Sequence, residues 1–342
     1  MRAGLRLLLI VPAVLVAGMA GAAEPCDREA TAAFLRPLQT DEDALARLRE
    51  AAAARARVFE SEHFVIVYTG RTGQVRALAD RLEAVYRAHV PFAAAVGLRL
   101  EAPAVKLPVL FFGSYGEFRA YRERVAPEQR DVLGFYEPAE NRTVLFDLAG
   151  YPPVARLRAE LDNLGRAAHE RRAELSRRLR RNTESLTATV IQHEAAHQIH
   201  ANIGLVPAGG GTPTWVVEGL AELFELPFVE RGATLAEGTN RYRLAEYDVL
   251  YGNCADLPAE LRRMVADESG WRGWQDYALA WALTSYLFRR HPEQFGRFVA
   301  ERAGADAGRL AAFERACGPL DESFAARLAD HIDLLRREPA AE

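Results

Sequence analysis

Cysteine is scarce in this chain: three residues in 342, at Cys26, Cys254 and Cys317, with no CxxC spacing among them. That excludes a zinc ribbon built on paired thiolates and a small scaffold stapled by many disulfides, and no catalytic cysteine signature surrounds any of the three. In an oxidising compartment one bridge and one leftover thiol are allowed, and Cys254–Cys317 is the favoured pairing because both fall in the C-terminal region. Excess positive charge is missing too. The formal net charge is −4, and the arginines are scattered among Glu and Asp. This removes the basic footprint of a nucleic-acid binder and reads as solvated helix faces. No repeat of fixed period is present. A hydrophobic content of 49% is neither collagen-like nor disordered, and fills a core in one large or two smaller domains. The glycine-rich stretch "VPAGGGTP" lacks the Lys-Ser/Thr of a phosphate loop and follows a helical pattern, so it is a connection.

Long apolar runs are confined to the N-terminus. "MRAGLRLLLIVPAVLVAGMAGAAEP" carries Arg2 and Arg6, an apolar run from Leu7, then small residues at Ala20-Gly21-Ala22. This is a signal peptide over residues 1–22, cut after Ala22 or Ala23, and it implies an exported protein, periplasmic or extracellular. A retained anchor is the rival; the run of about 17 residues is at the short end for spanning, and Pro12 interrupts it. No stable membrane span is expected after cleavage.

Residues 23–58 read as an N-terminal helical segment broken at Pro37. "HFVIVYTG" from His63 is a strand, "GQVRALADRLEAVYRAHVPF" an amphipathic helix, and "VKLPVLFF" from Val105 the next strand. "GSYGEFRAYRERV" is a short helix, and residues 131–147, "DVLGFYEPAENRTVLFD", are a hairpin turning at 137–141. Residues 154–182 are densely charged and read as an exposed helix, with His169 a surface histidine. Thr183 or Ser185 is the expected cap of the following helix, which stops at Gly204. "TWVVEGLAELFE" is a further short helix, and from residue 231 to about 337 the pattern is helical, with "QDYALAWALTSYLFRR" a buried helix. The predicted fold class is α+β: a mixed-sheet lobe over 59–230 and a helical C-terminal lobe over 231–337.

"TVIQHEAAHQIH" holds the chemistry. On a helix, His193 and His197 are four residues apart and project from one face, close enough for two imidazole nitrogens to meet one metal ion. Glu194 is turned aside from a ligand position but can face a water there and move its proton. This is the H-E-x-x-H arrangement, short enough to arise by chance, so a third ligand is needed. His200 lies about 10 Å along the axis from His193, and three side chains in one row cannot wrap a tetrahedral ion. It lines the groove or packs. The longer H-E-x-x-H-x-x-G-x-x-H form fails, with His200 at the glycine position and Ile203 at the last histidine. Glu218, on the next helix, is the better third ligand, leaving one position open for water as catalytic zinc requires. Glu222, one turn on, is a candidate to accept the free ring N–H of a ligand histidine. His63, His89, His291 and His331 are isolated and carry no role.

His193-Glu194-x-x-His197 followed by "PTWVVEGLAELFE" resembles the gluzincin clan of zinc metallopeptidases, and with "SEHFVIVYTG" and "GFYEPAENRTVLFD" the chain is similar to the secreted bacterial DUF1570 / peptidase-MA-like group over about residues 60–290. The resemblance implies a zincin-like fold, Zn2+ held by His193, His197 and Glu218, Glu194 as general base, and a peptide or protein substrate. It implies a mixed sheet whose edge strand, Val144 to Asp147, borders the cleft and pairs with the substrate. Relatives often steady the oxyanion with a downstream Tyr or His; Tyr277, Tyr286 and His291 compete for that place. The charged insertion before the metal helix departs from the compact family pattern. Two rivals stand beside an exported zinc metallopeptidase: a catalytically silent envelope binding protein on the same scaffold, and a zinc hydrolase of non-peptide amides.

Overall fold

The computed structural model describes residues 28–52, 55–163, 169–207, 211–226, 235, 238–266, 271–300 and 308–338. The expected signal peptide and Cys26 lie outside them. The N-terminal part comprises α1 (Arg28–Phe34), α2 (Glu42–Ala51), β1 (Arg57–Glu60), β2 (Phe64–Tyr68), α3 (Thr72–Val96), β3 (Leu107–Phe112), α4 (Tyr115–Val125), β4 (Phe135–Glu137) and β5 (Arg142–Phe146). Helices follow: α5 (Pro152–Asp162), α6 (His169–Asn202), α7 (Thr214–Leu223), α8 (Arg241–Leu250), α9 (Leu257–Ala266), α10 (Trp274–Arg290), α11 (Pro292–Ala300), α12 (Arg309–Cys317) and α13 (Glu322–Arg337). The fold is α+β. Among the described residues no helix is long and apolar enough to cross a membrane.

The sheet runs β1-β2-β3-β5-β4, with β2, β3 and β5 parallel and β1 and β4 antiparallel at the two edges. The central strands are buried on both faces, which is why they read as unbroken apolar runs. Phe64, Ile66, Leu107, Val109 and Leu145 face the large core under α3 and α6; Val65, Val67, Leu110, Phe112, Val144 and Phe146 face a smaller core under α2 and α4. Side-chain alternation along each strand separates the two sets. The large core continues through Trp215, Leu220, Leu283 and Phe295 to Leu335, so the helices after residue 231 pack on the same apolar mass as the sheet.

Three expectations are corrected. The strand Val144 to Asp147 is not an edge: β5 lies between β3 and β4, and the short β4 is the outer strand. The metal helix does not start at Thr183 or Ser185. α6 runs unbroken from His169 for 34 residues, because Thr183 Oγ1 donates back to Leu179 O at 2.8 Å and Thr187 Oγ1 to Thr183 O at 2.7 Å. Hydroxyls satisfied inside the helix do not cap it. Cys254 and Cys317 are both free, half-buried against the core.

Candidate metal centre

α6 crosses β4 and β5 with Ile191, Ala195, Ala196 and Ile199 packed beneath it. Buried Gln198 pins it to the sheet, its Nε2 donating to Pro108 O at 2.9 Å and Asn141 O at 2.8 Å while Thr143 Oγ1 donates to its Oε1 at 2.9 Å. That leaves His193 and His197 turned away from the sheet and Glu194 at its β4 edge, all three half-buried. α7 folds back against α6 and is itself clamped on α10, where Gly219 sits against Thr284 and Ala280. Glu218, the residue before that glycine, is thereby turned toward the two histidines.

His193 Nε2, His197 Nε2 and Glu218 Oε2 converge. The separations are 3.0 Å between the two nitrogens and 3.2 and 3.5 Å from each to the oxygen. A tetrahedral ion with bonds near 2.0–2.1 Å sets its ligand atoms about 3.3 Å apart. These three atoms fit three corners of such a tetrahedron, and they form one of two such groupings of potential ligand atoms among the described residues. In the other, Glu62, His63 and Glu83, the Glu83 carboxylate already accepts from Ser61 Oγ, the His63 amide and His63 Nδ1 at 2.7–2.8 Å.

Charge gives a second test of the fit. Glu218, Glu222 and Glu225 have side-chain exposures of 18%, 0% and 2%, with Glu194 beside them. Arg243 faces Glu222 and Glu225, and the two imidazoles face Glu218. A dication held by His193, His197 and Glu218 would take over the positive charge that a protonated His193 brings to these carboxylates. In the metal-free protein, burial would depress His193, but Glu218 and Glu225 hold its pKa well above the ordinary value. Burial would raise Glu218, and the two histidines reverse this and hold it well below the ordinary carboxylate range.

Glu194 accepts from the Tyr136 amide of β4 at 2.9 Å. Burial pushes its carboxyl up, with Glu218 adding to the effect against the pull of His193 and His197. A carboxylate raised in this way is a better proton acceptor than a solvated one. β4 approaches this closely because Gly134 precedes it: a Cβ there would stand 2.8 Å from Val190 Cγ1 and 3.3 Å from Glu194 Cγ.

Glu222 is not where the sequence reading puts it. The acceptor beside His193 Nδ1, at 2.8 Å, is Glu225 Oε1. Glu222 is fully buried and lies 2.8 Å from Arg243 Nε, without hydrogen-bond alignment; burial pushes its pKa well above the ordinary value. Glu225 lies beyond the last turn of α7, where helical spacing from Glu218 no longer applies. Tyr136 lies inside the quoted stretch "GFYEPAENRTVLFD" but has no role assigned there, and Arg243 carries no motif.

His200 packs rather than ligates: it is buried against His89 and Phe224, with ring centroids at 5.1 and 5.3 Å. Tyr277 is the one of the three oxyanion candidates whose ring neighbours the converging side chains, 6.4 Å from that of His193; burial and then Glu218, Glu222 and Glu194 push its hydroxyl pKa up. Tyr286 and His291 instead bond each other at 3.0 Å, and Tyr286 packs on Phe324 and His331 of α13.

No curated protein matches the chain. Residues 187–306, from the middle of α6 past α11 and including all three converging side chains, match the family model described as a protein of unknown function (DUF1570), and over that stretch the chain is similar to that family.

Proposed function

We propose that this is an exported zinc-dependent peptidase of gluzincin type. The observation that carries the reading is the convergence of His193 Nε2, His197 Nε2 and Glu218 Oε2 at 3.0–3.5 Å beside the Glu194 carboxylate. Bound zinc supplies Lewis acidity there, acidifying water and polarising a carbonyl. His193 and His197 present lone pairs from successive turns of one rigid helix, and Glu218 closes the set from a second. Glu194 accepts the proton of the attacking water at a carboxylate oxygen, and returns it to the leaving amine as the C–N bond breaks. The Tyr136 amide holds Glu194 in place between those two transfers. The apolar leader before residue 23 supports action outside the cytoplasm.

The test is metal analysis of purified protein together with Glu194→Gln. The parent is expected to hold about one zinc per chain and to cleave unfolded polypeptide; the Gln variant is expected to keep the metal and lose turnover by at least about 100-fold. Protein that takes up no zinc, or a Gln variant that cleaves as well as the parent, ends the reading.

A further inference from the structure

We infer that Glu225 positions His193 for metal binding, and that α8 holds Glu225 in place through Asn240 and Arg243, so that three helices build the site. The inference rests on the metal reading above.

An imidazole ligates through one nitrogen only if the other carries the proton and the ring is turned the right way. His193 Nε2 faces His197 and Glu218, and its Nδ1 lies 2.8 Å from Glu225 Oε1. A carboxylate at that distance would make Nδ1 the proton-bearing nitrogen of a neutral ring and leave the Nε2 lone pair toward His197 and Glu218, which would hold the metal with it. Glu225 itself follows the last turn of α7, its amide donating to Glu222 O at 3.3 Å. At the end of a helix, a side chain needs an outside hold to keep one direction.

α8 provides that hold. Asn240 Nδ2 donates to Glu225 Oε2 at 2.7 Å, while Asn240 Oδ1 accepts from the Arg243 amide at 3.1 Å. One side chain thus caps α8 and fixes the carboxylate. Arg243 reaches back over the same spot. Its Nε lies 2.8 Å from Glu222 and 3.7 Å from Glu225, its Nη1 donates to Glu246 at 2.7 Å, and its guanidinium stands 5.1 Å from the Tyr277 ring centroid. Its cation keeps two adjacent buried carboxylates tolerable, one of which is Glu225. Asn240, at 5% exposure, and Glu225, also at 5%, are too deep for solvent to replace either partner.

The experiment measures zinc affinity of the full chain by chelator competition, the visible spectrum of the cobalt(II)-loaded protein, and the thermal midpoint of the metal-free protein. Glu225→Ala is expected to weaken zinc binding about 10–100-fold and to alter the cobalt bands. Glu225→Gln, which keeps the shape and an oxygen acceptor, is expected to fall between it and the parent and guards against a variant that fails to fold. Glu222→Gln, whose neighbour is Arg243, is expected to weaken binding less than Glu225→Gln. A purely structural Glu225 would lower the thermal midpoint and leave the affinity of the folded protein alone. The inference is overturned if both Glu225 variants bind zinc within about threefold of the parent, or if Glu222→Gln loses as much as Glu225→Gln. A parent that binds no zinc is a different outcome, and removes the peptidase reading with it.

Discussion

The backbone amide of Tyr136 donates to Glu194 Oε2 at 2.9 Å, and so ties the outermost strand of the sheet to the candidate general base. Both parties are constrained from behind. Thr143, opposite Tyr136 in the β4–β5 ladder, donates to buried Gln198 on α6. Strand and helix therefore behave as one body at this point.

Gly134→Ala tests that coupling. The added methyl would meet Val190 Cγ1 at 2.8 Å and Leu145 Cδ2 at 2.9 Å, both under the closest approach such carbons adopt. Val190 and Leu145 are packed side chains, so β4 is expected to lift from α6, at a cost of about 1–3 kcal/mol. Because Tyr136 lies two residues on, the Glu194 bond lengthens as well. The expected result is a lower denaturant midpoint and a loss of turnover larger than stability alone accounts for. Unchanged stability and turnover would show that the strand and the base move independently.

Metal addition and pH test the ligand set. A ligand at about 100 times its Kd stabilises the folded state by about 2.7 kcal/mol. Zinc is expected to raise the thermal midpoint, a chelator to reverse it, and Glu218→Ala to abolish the response. The sign with pH follows from His193. Its pKa is raised in the metal-free protein despite burial, because Glu218 and Glu225 bond to it, so binding must displace a proton. Apparent affinity is expected to climb as pH rises, and to level off only above the raised pKa. An affinity that falls with rising pH would contradict a histidine ligand at this position.

The pairing of His193 with His197 was legible in the sequence because helical period is rigid: residues four apart share a face wherever the helix lies. What escaped depends on contacts the period does not record. β1, Arg57–Glu60, is a partly exposed edge strand flanked by charge, and it merged with the preceding helical segment. The β4–β5 hairpin was legible from its turn, but β4 lying outside β5 follows from strand order rather than local pattern. The one-turn step from Glu218 points to Glu222 and passes over Glu225; the two are told apart by Arg243 and Asn240, which arrive from a different helix.

Asp276 is expected to govern acid stability of the C-terminal helices. It is fully buried in the first turn of α10, one residue before Tyr277, and accepts from Arg263 Nη2 at 2.6 Å, the Arg272 amide at 2.8 Å and Tyr251 OH at 3.2 Å. Burial would raise its pKa, but the bonds from Arg263 and Arg272 outweigh it and hold the value below 3.8. A folded pKa lower than the unfolded one means that this stabilisation is present above about pH 4 and is lost as pH falls through the folded value. Asp276→Asn is expected to cost about 2–4 kcal/mol at neutral pH, since it strips the charge from a buried acceptor of several donors. It is also expected to flatten the acid limb of the stability curve. A variant whose stability falls with acid as steeply as the parent's would assign that limb elsewhere.

Gly219→Ala sets two effects of known size against each other. Within the interior of α7 an alanine is favoured over glycine by about 1 kcal/mol. Against that, the new Cβ would stand 2.6 Å from Thr284 Cγ2 and 2.9 Å from Ala280 O, on a neighbouring helix buried over most of its length. One obstacle is a β-branched side chain and the other is backbone, so neither yields cheaply. Overpacking costs about 1–3 kcal/mol, and with contacts this short it is expected to win. α7 then moves off α10 and carries Glu218 with it, so zinc affinity is expected to fall together with stability. Thr284→Ser in the same chain removes the closer contact while retaining the hydroxyl that donates to Gly219 O at 3.1 Å. The double variant is therefore expected to recover part of both losses, measured by chelator competition and denaturant midpoint. Full zinc affinity in Gly219→Ala alone would mean that the packing of α7 on α10 does not set the direction of Glu218.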